Sequence, residues 1–90
     1  MDLLERRTPL PLVATHPGIT ILALHGRLSR VTRLDGAVLG YVELLDDPPD
    51  AAEPRAHRPF LAKRLRPRAQ GFVEVGRFWS ADDAVDALRR

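Results

Sequence analysis

With no cysteine among its 90 residues, the chain can offer no thiolate nucleophile, no sulfur-ligated zinc and no disulfide framework. The three histidines, His16, His25 and His57, form no HxH or HxxxH pair, so no metal-ligand spacing is present. The serines are Ser29 and Ser80. Ser29 stands outside any GxSxG context, and Ser80 reads as a helix cap. No phosphate-cradling GxxxxGK[ST] or GxGxxG occurs. Asp46, Asp47 and Asp50 are acidic enough for a calcium loop, but Pro48-Pro49 and the missing glycine remove that reading. A chain this small also has little room to enclose a substrate. The expectation is a non-enzyme with no cofactor and no metal.

What remains is charge. Thirteen of the 14 basic residues are Arg, Lys63 being the exception, and Asn is absent. GC-rich coding accounts for both facts, so the preference for Arg carries no weight alone, whereas its distribution does. Residues 46–54 hold four acids (Asp46, Asp47, Asp50, Glu53) and no base. Residues 55–77 hold seven bases (Arg55, Arg58, Lys63, Arg64, Arg66, Arg68, Arg77) against Glu74, although the whole chain carries only +2.

These bases centre on a strand-like run, Pro59 to Arg66. Alternation puts Arg58, Phe60, Ala62, Arg64 and Arg66 on one face and Leu61, Lys63 and Leu65 on the other. Neither face is cleanly apolar, so the strand belongs at a sheet edge or in a half-exposed sheet. Cationic strands neutralise phosphates and release counterions, and a β-ribbon fits the DNA major groove. Charge on an edge strand also blocks sheet-to-sheet aggregation, which needs the same residues. The expected nucleic-acid interface is Arg58, Lys63, Arg64, Arg66 and Arg68, flanked by Arg27, Arg30 and Arg33, with double-stranded DNA as the foremost partner. The alternative is a small protein-interaction module working through an edge strand or the acidic Pro-rich loop. Most aromatics must serve the core, and Tyr41 with Phe60 is the one pair considered for base stacking.

The elements that position these residues follow from pattern. Residues 1–18 read as a flexible tail interrupted by Pro9, Pro11 and Pro17. With Asp2 and Glu5 first and prolines breaking the apolar part, this is no secretory signal, and a cytoplasmic location is expected. Residues 19–90 form the domain. Strands are expected over 19–24, 27–34, 37–45, 59–66 and 72–79. Asp35-Gly36 suggests a two-residue type I′ hairpin. In the third strand Val38, Val42 and Leu44 share one face, Leu39, Tyr41 and Glu43 the other. Gly40 and Gly76 suggest bulges or close packing, the latter bringing Phe78 and Trp79 over the core. Residues 46–57, with three prolines, form an acidic loop that could fold back on the basic residues. From Ser80, Ala81, Ala84, Val85 and Leu88 recur at helical spacing, with Val85 and Leu88 expected to be buried. The fold class is α+β: a four- or five-stranded antiparallel sheet with one C-terminal helix on one face.

Two resemblances follow from these residues. The stretch Phe72 to Leu88, an aromatic strand ending in Phe-Trp-Ser and passing into Ala-Asp-Asp-Ala-Val-Asp-Ala-Leu, resembles the close of the arm-type DNA-binding domains of phage-type integrases. Those domains lay a three-stranded sheet in the major groove with a helix behind it. The chain holds no recombinase catalytic domain, so the resemblance implies a binding mode alone. His25-Gly26-Arg27, Val31, Asp35-Gly36, Val38 to Glu43, Phe60 to Arg64 and Gly76 to Trp79 also resemble a group of small uncharacterised β-rich proteins of high-GC bacteria, which implies no function.

Overall fold

The computed structural model describes residues 7–45 and 58–90. Five strands run antiparallel in chain order across one sheet: β1 (Ile19–His25), β2 (Leu28–Arg33), β3 (Val38–Leu44), β4 (Phe60–Leu65) and β5 (Phe72–Phe78). The helix α1 (Ala81–Arg89) follows and packs over β3, β4 and β5. This is the α+β architecture the pattern predicts. The acidic segment 46–57 lies outside the described residues.

The core forms where the inward face of the sheet meets α1. Val31, Val42 and Ala62 are fully buried, and the register sets Ser29 beside Val42, Val42 beside Ala62 and Gly40 beside Val31. The helix contributes Ala81, Ala84, Val85 and Leu88. Ser80 Oγ accepts the Asp83 N–H at 3.1 Å, the expected cap. Asp82 and Asp83 lie at the positive helix end and Arg89 at the negative one. Close approach of helix and sheet depends on Gly40, where a Cβ would come within 2.7 Å of both Leu88 Cδ2 and the Lys63 carbonyl oxygen.

Departures from strict alternation sort the remaining side chains. Val31 faces Gly40 but Thr32 faces Val38, so Leu39 is an extra residue in β3. It turns onto the core, while Val38 turns to the opposite face and is 49% exposed, the reverse of the simple expectation. In β5 the pairing passes from Gly76 to Glu74, and the extra residue, Val75, packs on the core with Phe78. Trp79 does not follow them and is 56% exposed. The β2–β3 connection is not type I′. Gly36 N–H donates to Arg33 O at 2.9 Å, Arg33 N–H donates to Ala37 O at 2.8 Å, and Gly36 alone in this turn has positive φ, at 95°. That is a three-residue loop ending in a glycine bulge, which needs one left-handed residue instead of two. The edges are β1 and β5, so β4 is an interior strand and its charge does not protect an edge.

Five strands about 4.8 Å apart are too wide for one helix of about 10 Å to cover. The N-terminal segment closes the rest. Thr8 N–H donates to Gly26 O at 2.9 Å, Leu10 is 9% exposed in the core, and Leu12 packs against it. The Asp82 carboxylate then accepts the Val13 N–H at 2.9 Å, the Ala14 N–H at 3.0 Å and His16 Nε2–H at 2.7 Å. His16 Nδ1 lies 3.5 Å from Asp86 Oδ1. From Arg7 onward the expected tail is therefore a docked strap, and the domain begins well before residue 19.

Two outcomes are expected. Gly40→Ala should cost about 1–3 kcal/mol in urea unfolding, because the methyl meets backbone as well as Leu88. The Val13 amide above all, then the His16 ring and the Ala14 amide, hold Asp82 below the usual carboxylate range. Stability from this carboxylate is complete above its unfolded value of 3.8 and drains away as pH falls through the lower folded value. Asp82→Asn should therefore be less stable than the parent at neutral pH, and the gap should narrow below about pH 4. A constant gap across an acid titration would show that the ionised carboxylate does not hold the strap.

Candidate nucleic-acid interface

The eight predicted binding residues do not share one face. Arg64 alternates with Phe60 and Ala62 and points to the helix side, where its Nη2 donates to the backbone oxygens of Leu88 at 3.2 Å and Arg90 at 3.3 Å. It satisfies carbonyls that the last helical turn would leave unpartnered. Arg33, at the end of β2, lines a cleft with Pro17, Gly18, Ile19, Leu39 and Arg89. Arg66 and Arg68 line a second cleft with Pro67, Gln70 and Val73, and Val73 pairs across the sheet with Arg64.

These contacts assemble an arc at one end of the domain. The antiparallel order brings there the end of β2, the end of β4, the start of β5 and, through Arg64, the end of α1. Arg33, Arg64, Arg66, Arg68, Arg89 and Arg90 occupy it. Nothing local to Arg89 and Arg90 in the sequence says that β4 ends beside them. Asp35 enters this end with Arg33, 3.1 Å from its guanidinium. The Ala37 amide, helped by Arg33, holds the Asp35 carboxyl below its usual range. Arg66, Arg68, Arg89 and Arg90 have no ion-pair partner among the described residues. Arg68 also adopts φ 63°, a left-handed conformation that ordinarily falls to glycine.

Arg30 and Lys63 lie instead on the sheet face turned away from the helix. The register runs Leu22, Arg30, Tyr41, Lys63, Glu74 across all five strands. Lys63 Nζ donates to Glu43 Oε1 at 3.0 Å and sits 4.5 Å from the Phe72 ring centroid. Tyr41 meets Phe72 edge to face at 5.3 Å. The pairing of Tyr41 with Phe60 fails because Phe60 points into the core, 7% exposed. Arg27 is exposed in the β1–β2 turn and Arg58 precedes β4, where its Nη1 donates to Arg77 O at 3.4 Å; both are at the end opposite the arc.

Among the described residues no group of His, Asp or Glu is arranged to hold a metal ion, and no helix is long and apolar enough to cross a membrane. No family model matches the chain, and neither does any curated protein or solved structure.

The arc separates structural from available cations, and stability measurements should read the difference. Arg64→Leu should lose about 1–2 kcal/mol with its helix-end bonds. Arg66→Gln should stay within about 0.5 kcal/mol of the parent. Arg68→Gly should match or exceed the parent, because glycine removes the left-handed penalty.

Proposed function

We propose that the protein is a non-enzymatic nucleic-acid-binding module whose phosphate contacts come from the arginine arc. The observation that carries this reading is the convergence of Arg33, Arg64, Arg66, Arg68, Arg89 and Arg90 from three separate stretches of sequence onto one end. Side chains that only keep a surface solvated have no reason to gather. Guanidinium groups suit phosphate because two N–H donors meet two oxygens in a plane.

The arc revises the expected site. Arg33, Arg64, Arg66 and Arg68 remain, Arg89 and Arg90 join them, and Arg27 and Arg58 drop out because they are at the far end. Arg64 works mainly by fixing α1, which carries Arg89 and Arg90. The two resemblances stand as proposals on the residues that carry them; the integrase-like one agrees with a helix behind a sheet. A protein partner is the second reading, supported by β5 being an edge strand with Val73 43% exposed and Trp79 beyond it.

Binding through the arc must weaken steeply with salt. Four arginines with no ion-pair partner among the described residues predict a log–log slope of about −3 to −4 for duplex DNA. Fluorescence anisotropy of a labelled duplex titrated at several salt concentrations measures it. Arg68→Gly should bind more weakly without loss of stability, and its slope should be shallower by about one. No binding by the parent to either duplex or single-stranded DNA at low salt refutes the reading.

A further inference from the structure

Among the described residues no element packs over the sheet face opposite α1, and this face combines features that the arc lacks. Leu22, Val38, Leu65 and Phe72 are each 45–49% exposed on it. Near its centre Tyr41 stands between Arg30 and Lys63, with Phe72 beside both Tyr41 and Lys63. The carboxylates Glu43 and Glu74 lie among these groups, Glu43 bonded to Lys63 and Glu74 3.7 Å from Arg77 Nε. A phosphate backbone lying here would meet both carboxylates. Nucleobases would not be repelled. Their faces stack on aromatic rings and guanidinium planes, and their amino groups donate to carboxylates.

The two surfaces adjoin. Phe72 begins β5, one residue after the hairpin tip that carries Arg66 and Arg68. Phosphates held by those two arginines would leave the following bases within reach of Phe72 and Tyr41, provided that the bases are free of a complementary strand.

We infer that the ligand is single-stranded nucleic acid, its phosphates on Arg66 and Arg68 and its bases stacked on Tyr41 and Phe72 across the open sheet face. This rests on the phosphate-binding reading of the arc and narrows it from nucleic acid in general to an unpaired strand. It replaces the major-groove mode, in which bases stay paired and aromatic rings have nothing to stack on. Arg30, Lys63 and Glu43 line the base site, with Lys63 held between Glu43 and the Phe72 ring.

The test uses the whole chain with three labelled probes of equal length at low salt: a thymidine oligonucleotide, the same oligonucleotide in a duplex, and an abasic strand with the same number of phosphates. The single strand should bind at least tenfold tighter than the other two. Tyr41→Leu and Phe72→Leu should each weaken single-strand binding by about 5- to 100-fold, with the salt slope unchanged. Arg66→Gln should weaken all three probes and make the slope shallower. The abasic comparison needs no variant, so it decides the matter even if a leucine variant fails to fold. Equal binding of all three probes would overturn the inference while leaving the arc as a phosphate site, with the open face then assigned to an apolar protein partner. No binding of any probe would overturn both.

Discussion

A nine-residue helix cannot cover a five-stranded sheet, and the rest of the structure answers that mismatch. Strands alternate, so each contributes side chains to two faces, and the described residues hold one α-helix to bury them with. On the inward face α1 closes over β3, β4 and β5. The strap, threaded by Leu10 and Leu12, closes the remainder. Asp82 joins the two covers by accepting from two strap amides and one imidazole, which places the charge where the helix dipole also favours it. Among the described residues no element packs over the outward face, which stays half apolar.

Much of this was legible in the sequence, for reasons that particular residues make plain. Period-two runs, the Ser80 cap and the Ala81–Leu88 spacing are local signals and translated directly into β1–β5 and α1. Gly40 was legible as a tight position because a mid-strand glycine has few other uses. Strand faces were less legible, because one extra residue inverts every side chain beyond it; Leu39 and Val38 changed places for that reason. The strap was invisible because its clamp joins residues 66 apart, His16 and Asp82. A proline-broken segment also looks the same whether it is docked or not.

The charge pattern was legible as composition but not as geometry. Alternation already divides the basic run between two faces, but it does not say what each face meets. Lys63 and Arg64 therefore serve unrelated surfaces, one bonded to Glu43 across the open face and the other to the last carbonyls of α1. Of the two placements expected for β4, an edge or a half-exposed sheet, its position between β3 and β5 excludes the first. Its charges resemble an edge strand's protection only until their partners on β3, β5 and α1 are known.

An arginine arc is costly to build unless the fold absorbs part of its charge. Arg33 is met by Asp35, whose carboxyl the Ala37 amide holds below its usual range. Arg64 is met by helix-end carbonyls, which carry partial negative charge. Those two residues sit nearest α1 and β2, where like charges would otherwise press the elements apart. Arg66, Arg68 and the pair at the end of α1 receive no such compensation among the described residues, and all four are exposed, so solvent screens their repulsion. The division is one between anchors and free donors. It also explains why Arg68 can keep a left-handed backbone: at an exposed hairpin tip the strain is local and displaces no packed neighbour.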